Sequence, residues 1–373
     1  VCIGHSRGIL WIGGEHYLRI HPKDSLTFGD YLLLGGNMLT RLSSEFVIVF
    51  FVLSGFSIAH SLRKSTDAIP FYKRRFIRLY PPYLTALFWA MLVMWGLLNF
   101  VPHFTDGTYQ TPAFDRLMDS RQLFEWPVFI KNLIYLPQLD GILRPFWSLT
   151  LEVIFYLLAP FFVRRKNVFY ILSTLLFIAV LVNTRLHLIS SGILTTYLYH
   201  NIFFMIGMLL YDHFDQVRNY AKQTIASKAP WIALGLFLLM VVLSLKGLHT
   251  TNALIAALMS VVLIVYLLEY NVEVKWLIAI GRFSYTLYIT HFPTIFIYLA
   301  LYFTLTNATP PYIFNSIVFF PCIFFCLAVA YGQYWLVEKR SKNILDKLRK
   351  SGSKQEIVPE VASSVVKVEK GQW

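Results

Sequence analysis

Charged residues are scarce in this chain. Only 14% of its 373 residues are Asp, Glu, Lys or Arg, whereas 57% are hydrophobic and 17% are aromatic. Soluble domains carry about 25% charged residues. This composition therefore excludes an ordinary soluble globule and indicates a protein that resides mainly in lipid.

The few charges are mostly basic, and the formal net charge is +13. A nucleic-acid-binding protein would collect its basic residues on a soluble domain. Here they lie in short connections between apolar segments, a pattern typical of proteins that span a bilayer. We expect lipid as a partner and no nucleic acid.

Cysteines are also few, and they predict no disulfide framework. Cys322 and Cys326 lie about one turn apart in an apolar segment, and the third is Cys2. Residues 1–5 have no initiator Met, basic n-region or cleavage site ahead of an apolar stretch. We therefore interpret them as the last turn of a helix whose beginning precedes Val1, not as a signal peptide.

Long apolar segments dominate what is present. A helix needs about 20 mostly apolar residues to cross the hydrocarbon core of a bilayer. With the N-terminal turn included, the apolar segments predict an all-α bundle of about ten transmembrane helices. They cover 44–62, 83–101, 146–163, 168–184, 194–211, 229–245, 252–268, 283–306 and 312–337.

The connections indicate the orientation of the bundle. One alternate set, together with the C-terminal tail, holds 23 Lys and Arg residues, and the opposite set holds 10. The positive-inside rule then places both termini in the cytoplasm of a cell with an inner membrane. Segments 6–43 and 102–145 would face outward, either to contact a polar acceptor or only to cover helix ends. We predict one membrane domain at 1–341 and a charged cytoplasmic tail at 342–373, which begins with a short helix and is otherwise mostly disordered.

Glu152 is an ionisable residue well inside a predicted transmembrane helix. A charge at the bilayer centre costs at least about 2.5 kcal/mol, so such a group usually faces a cavity or a partner. It could tie helices together, or it could act in a site. Helices in membranes are more often joined by neutral polar side chains, which favours the functional interpretation.

Two histidines are candidates for proton transfer. His5 would lie at the outward end of the incomplete first helix, and His291 lies two turns into a later helix with Tyr288 on the same face. Imidazole exchanges a proton near neutral pH, as a general base for a hydroxyl must do. An interfacial role for His5 and a packing role for His291 are the alternatives.

Two further features would suit an anionic, acyl-bearing ligand. Arg75 and Arg78 lie one turn apart in a predicted basic loop, where they could hold phosphate bidentately or anchor the chain to anionic lipid. Ser54 and Gly55 are small residues within an aromatic helix. They would allow either close helix packing or a slot for an acyl chain.

Several stretches are more specific together than any one of them alone. In order along the chain, they resemble the acyltransferase 3 family of integral-membrane enzymes, which includes O-antigen acetylases, exopolysaccharide acyltransferases and macrolide acyltransferases. These stretches are FFVLSGF at 50–56, FYKRRFIRLYPPY at 71–83, FWSLTLEVIFYLLAP at 146–160, GRFSYTLYITHFP at 281–293 and Glu338 in YWLVEKR.

The resemblance implies a ten-helix membrane enzyme that moves an acyl group, with acetyl as the expected one, from cytoplasmic acyl-CoA to a hydroxyl of a carbohydrate such as a surface polysaccharide. His5 matches the essential His of the family's first helix. Glu152 matches its Ser-x-x-Glu feature, with Ser148 or Thr150 nearby. The Arg that the family pattern places before the His would precede Val1. No metal is implied.

The resulting site hypothesis assigns three roles. His5 would be the general base, or a transient acyl carrier, and Glu152 would orient or tune a catalytic partner. Arg75, Arg78 and Ser54 would bind acyl-CoA. Ser148, Tyr288 and His291 would bind substrate.

Two other functional classes remain open. A ten-helix bundle with intramembrane Glu and His residues could transport a sugar or a lipid-linked glycan by alternating access. Against this, the sequence has no evident inverted repeat or paired broken helices. The chain could also be a sensor or scaffold that keeps the fold without the chemistry.

Replacing His5 with Ala should nearly abolish acyl transfer, because a general base contributes about 10²–10⁴-fold to the rate. Insertion into the membrane should be unchanged. The measurement is transfer from labelled acyl-CoA at equal amounts of membrane-inserted protein. Wild-type transfer by a normally inserted variant would exclude His5 as the base.

Overall fold

The computed structural model describes most of the chain as helices. Among the described residues there is no β-strand, so the predicted all-α fold is confirmed. The described residues are 1–10, 17–19, 21–63, 67–101, 104, 117, 120–136, 141–187, 190, 192–224, 228–306 and 316–355. Most of the predicted tail therefore lies outside them.

The helices follow one another through short connections. In chain order they are α1 (Cys2–Leu10), α2 (Phe28–Leu39), α3 (Ser43–Arg63), α4 (Ala68–Phe100), α5 (Trp126–Leu133), α6 (Trp147–Arg164), α7 (Lys166–Leu186), α8 (Ile193–Asp212), α9 (Phe214–Thr224), α10 (Ala229–Leu245), α11 (His249–Tyr270), α12 (Lys275–Gly281), α13 (Ser284–Thr306), α14 (Ser316–Gln333) and α15 (Lys339–Gln355).

The described helices include eight stretches that are long and apolar enough to cross a membrane, the first of which joins α2 and α3. Helix α10 is equally apolar but has 17 residues, and α1 has nine. Large apolar side chains point away from the protein on several of these helices, for example Leu175 and Ile178 on α7. Such a surface is stable in lipid and would be unstable in water.

The interior consists of two packed halves. One hydrophobic cluster is built mainly from α3, α6, α8 and α11, and the other from α1, α4, α13 and α14. Tyr285 and Tyr288 on α13 pack against both clusters. The boundary between the halves therefore runs along α13, α4, α3 and α6.

Two glycines let α3 and α8 cross in close contact. A Cβ atom on Gly55 would lie 2.0 Å from the carbonyl oxygen of Phe204, and one on Gly207 would lie 2.0 Å from that of Val52. Small residues at such crossings let backbones approach each other in membranes. Of the two interpretations of Gly55, close packing is the one that this geometry supports.

The basic segment was wrongly predicted as a loop at 63–82. Helix α4 begins at Ala68 and runs without a break to Phe100, so the segment is its first half. Hydropathy reports the cost of placing side chains in lipid, but a backbone helix does not require apolar residues. Lys and Arg are good helix formers, and their stems can lie along apolar surface.

The N-terminal end of the fold also differs from expectation. Helix α1 continues to Leu10, so His5 lies within the helix and not at its outward end. At the other end α15 runs from Lys339 through the predicted boundary at 341 to Gln355. It follows a π-helical segment, Tyr334–Glu338, whose buried Glu338 accepts a hydrogen bond from Thr286 on α13. This hydrogen bond joins the π-helical segment that follows α14 to α13.

The glycine crossing generates a test of stability. Gly207→Leu should destabilise the protein by several kcal/mol, because the new side chain must push α3 and α8 apart. Gly235→Leu on α10 is the matched control, since a Cβ there meets nothing within 4 Å. Thermal unfolding in detergent would measure both. Equal unfolding temperatures for the two variants would contradict the close crossing.

Candidate functional site

A cavity of about 460 Å³ lies where the two halves of the bundle meet. Its walls come from α3, α4, α6 and α13, with Val1 of the N-terminal segment at one side. The cavity collects six of the eight predicted site residues: Ser54, Arg75, Arg78, Ser148, Glu152 and Tyr288. They come from four helices, of which α3 and α4 are consecutive while α6 and α13 lie further along the chain.

Glu152 is the centre of the polar wall. Its side chain is only 3% exposed, and Oε1 accepts hydrogen bonds from Ser54 Oγ at 3.4 Å and from the hydroxyl of Tyr156. The Tyr156 hydroxyl also lies 3.3 Å from Ser54 Oγ. The second oxygen, Oε2, is buried without a hydrogen-bond partner among the described residues. A buried carboxylate oxygen is costly to leave unpaired, so this atom is available to a ligand or water.

Arg75 extends from α4 toward this carboxylate group. Its guanidinium carbon lies 5.1 Å from the centre of the Tyr156 ring and 5.5 Å from that of Phe71, which are cation–π distances. Arg78 lines the cavity one turn further along α4 and is more exposed. Among the described residues, no carboxylate lies within 4 Å of either guanidinium. The pair can therefore receive an anion.

Ser148 and Tyr288 join α6 to α13 at another part of the cavity wall. Their hydroxyl oxygens are 2.5 Å apart, and the Tyr288 hydroxyl also donates to the carbonyl oxygen of Pro145 at 3.0 Å. Ser148 Oγ lies 3.3 Å from the same carbonyl oxygen, so the two hydroxyl protons are shared among these three contacts. This network holds two hydroxyl groups at fixed positions facing the cavity.

His5 and His291 lie beside the cavity and form a pair. Their ring centres are 5.3 Å apart, although they are separated by most of the sequence. His291 is fully buried, with Nδ1 3.1 Å from the carbonyl oxygen of Leu287 and with no hydrogen-bond partner for Nε2 in the described structure. The proton is therefore favoured on Nδ1, which leaves Nε2 as an acceptor.

The histidine pair lies next to residues that line the cavity. Tyr288, a cavity residue, has its ring centre 6.0 Å from that of His291. On α1, the backbone N–H of His5 donates to the carbonyl oxygen of Val1, which lines the cavity. Neither His5 nor His291 is among the described residues that line the cavity, although His291 neighbours Tyr288, which does.

Tyr156 and Tyr285 were not predicted as site residues. Tyr156 lies one turn after Glu152 on the same face of α6, and this spacing was a usable signal. Tyr285 lines the cavity and donates a hydrogen bond to the carbonyl oxygen of Leu79 on α4 at 3.1 Å. Nothing in the sequence around Tyr285 indicates that contact, because it depends on how α13 packs against α4.

Apart from Ser57 and Ser284, most of the remaining wall is apolar. Phe46, Phe50 and Leu53 follow one face of α3, and Leu149 faces them from α6. A ligand with a charged end and an apolar body would match both parts of the cavity. Across the described residues there is no cluster of three or more His, Cys, Asp and Glu side chains that could hold a metal ion.

These features define a polytopic helical membrane protein with a polar site inside the bundle. The chain belongs to the acyltransferase 3 family, because the family model described as an acyltransferase domain matches residues 1–335. It is also similar to "Acyltransferase MdmB" from Streptomyces mycarofaciens, with 30% identity over 159 residues. That match covers 42% of this chain and 38% of the relative. No solved structure matches. The family match and the similarity to this relative together support assignment to the class of membrane acyltransferases.

The hydrogen bonds around Glu152 predict energetic coupling. Ser54→Ala and Tyr156→Phe should each destabilise the protein, and their effects should be non-additive by more than about 0.5 kcal/mol because both hydroxyls bond the same carboxylate. Denaturation of the single and double variants would measure this. As a control, Tyr72→Phe removes a hydroxyl that donates to the carbonyl of Leu157. Its effect should add to that of Ser54→Ala, and additivity in both pairs would contradict the shared bonding.

Proposed function

We propose that this protein transfers an acyl group, with acetyl as the expected one, from acyl-CoA to a hydroxyl of a carbohydrate acceptor. The observation that carries this proposal is the cavity that places two guanidinium groups, a buried carboxylate and an apolar wall in one space beside a histidine pair. Membership of an acyltransferase family supplies the class of reaction.

The donor matches the two ends of the cavity. Arg75 and Arg78 would bind the phosphate groups of CoA, because guanidinium forks hold phosphate bidentately. The less polar arm of the donor would lie along Phe50 and Leu53. Ser54, between these regions, would lie near the thioester. Anchoring of the arginines to lipid is less well supported, because both line the cavity with Glu152.

The chemistry requires a base and stabilisation of a developing oxyanion. The acceptor oxygen attacks the thioester carbonyl carbon, a C–O bond forms, and the C–S bond breaks. His5 would take the proton of the acceptor hydroxyl and return it to the leaving sulfur, so that CoA departs as a thiol. A hydroxyl group of Ser148 or Tyr288 would donate to the oxyanion after turning its proton away from the carbonyl oxygen of Pro145.

His291 would position His5 in this scheme. The two rings are in contact, and Phe292 packs edge-on against the ring of His5 with centres 5.2 Å apart. These contacts restrict the orientation of the His5 ring. Glu152 would act at a different point, by balancing the charge of Arg75 and offering its second oxygen to a bound substrate.

The proposal includes an orientation in the membrane. The basic ends of α3, α6 and α15 would face the cytoplasm of a cell with an inner membrane, and both termini would be on that side. Cytoplasmic acyl-CoA would reach Arg78 from there. The acceptor, for example a surface polysaccharide, would approach from the opposite side.

The direct test uses purified protein in lipid vesicles with labelled acetyl-CoA and a panel of neutral glycans. Covalent transfer of the label to a glycan hydroxyl, detected by mass spectrometry, is the expected result. Uptake of glycan into the vesicles without acylation would instead support a transporter. Absence of both activities across acetyl, propionyl and succinyl donors would contradict the proposed function.

The arginine pair yields a quantitative prediction. Arg75→Gln and Arg78→Gln should each raise the half-saturating acyl-CoA concentration by about tenfold or more, since a hydrogen bond to a charged group contributes about 1.5–3 kcal/mol. Arg74→Gln is the matched control, because Arg74 is on the same helix but does not line the cavity. Initial rates at varied acyl-CoA would measure the effect. Equal values for the three variants would assign the pair to lipid anchoring.

A further inference from the structure

A second cavity, of about 490 Å³, lies between the C-terminal end of α7 and the N-terminal end of α8. The opposite ends of these two helices are joined by the ion pair of Lys166 with Asp212, whose Nζ and Oδ1 atoms are 2.6 Å apart. The cavity is therefore at the far end of the helix pair from that basic face. Its lining consists of Val180, Asn183, Thr184, His187, Ser190, Thr195, Thr196, Tyr199 and His200.

The lining is polar but carries no fixed charge. Eight of its nine described residues carry a hydroxyl, amide or imidazole group, and none of the nine is Asp, Glu, Lys or Arg. The threonine hydroxyls donate to helix carbonyl oxygens and can accept from a ligand, and hydroxyl, amide and imidazole groups can both donate and accept, which matches a ligand rich in hydroxyls. An anionic ligand would lose its hydration here without gaining an opposite charge. The volume is within the range of small-molecule sites. The chemistry therefore favours a neutral sugar.

The cavity has an open and a closed end. Thr184, His187 and Ser190 are exposed at the entrance, whereas Thr196 and His200 at the inner end are half-buried. His200 Nδ1 lies 2.7 Å from the carbonyl oxygen of Thr196, so the imidazole is held in one orientation. A ligand entering from the bundle surface would meet oriented polar groups at the inner end.

The inner end approaches the first cavity. The His200 ring centre lies 5.1 Å from that of Trp147 and 5.6 Å from that of Phe51. The chain neighbours of these two aromatic residues, Ser148 and Phe50, line the first cavity. The two cavities are thus separated by the aromatic contacts of Phe51, Trp147 and His200.

We propose that the second cavity binds a neutral sugar unit of the acceptor and holds it beside the acyl-transfer site. Its role as an acceptor subsite rests on the proposed function, but sugar binding does not require transfer. The aromatic contacts of Phe51 and Trp147 separate the held sugar from the donor. Binding and transfer can therefore be tested separately.

The test measures binding of methyl β-D-glucopyranoside to the purified full chain by saturation-transfer NMR, in a detergent without a sugar headgroup. Thr184→Val/Thr196→Val removes two cavity hydroxyls. The control, Thr174→Val/Thr304→Val, removes two hydroxyls outside both cavities. All four hydroxyls make the same bond to the carbonyl four residues earlier, at 2.8–2.9 Å. Both variants therefore lose the same kind of hydrogen bond within a helix, so a difference in sugar affinity reports on the cavity.

The cavity variant should raise the apparent Kd for the sugar by about fivefold or more, and the control should leave it unchanged. Unchanged binding of labelled acetyl-CoA would show that the first cavity is intact. Equal sugar affinities in both variants, no binding to the native protein, or tighter binding of glucose 6-phosphate than of the neutral glycoside would overturn the proposal.

A second experiment measures protection of a cysteine by the sugar, and it does not need a variant that binds the sugar more weakly. A cysteine at the entrance, Ser190→Cys in a Cys2→Ala background, should react with a maleimide, and the neutral glycoside should slow this reaction. Cys322 and Cys326 are fully buried and should not interfere. Equal rates with and without the sugar would overturn the proposal. A failure of acyl transfer would alter neither binding measurement, so it would count against the proposed function alone.

Discussion

The burial of one carboxylate organises the centre of this protein. Glu152 lies inside the bundle, where an isolated charge would be several kcal/mol unfavourable. Two hydroxyl groups from Ser54 and Tyr156 satisfy one of its oxygens, and Arg75 approaches the same group while its guanidinium lies over the Tyr156 ring. For these side chains to reach the Glu152 carboxylate, α3, α4 and α6 must approach one another at the same level of the bundle. The polar wall of the first cavity follows from that requirement.

The close glycine crossing of α3 and α8 complements this polar contact. It brings two backbones together in one half of the bundle and sets α3 in position, so that Ser54 faces Glu152 while Gly55, its neighbour, faces Phe204. The other half is built around α13, where Tyr288 and His291 extend the polar groups toward His5. A cavity remains where the halves meet because aromatic and hydroxyl side chains, not tight helix packing, form that boundary.

Much of the site could be predicted from residue chemistry. Carboxylate, guanidinium and imidazole groups are rare in an apolar chain, so each was conspicuous, and those of Arg75, Arg78 and Glu152 line the first cavity. Ser54, Ser148 and Tyr288 also line it, but they were predicted from motifs and neighbouring residues. The predicted start of α4 was wrong. Its first half is basic and therefore not hydrophobic, but it is still helical. Tyr285 was missed because tyrosines are common in this chain, and its contact with Leu79 depends on packing between distant helices. The second cavity was missed for the same reason.

The sequence alone determined that this chain is a helical membrane protein, because apolar runs of spanning length can satisfy their backbone in lipid only as helices. It also determined which chemical groups are present and, through the order of its motifs, the family to which they belong. Only the tertiary structure decided that His5 contacts His291, that Glu152 shares hydroxyl donors from two helices, and that a neutral polar cavity lies behind Trp147. These contacts join residues far apart in the chain, and they arise from helix packing, which local periodicity does not encode.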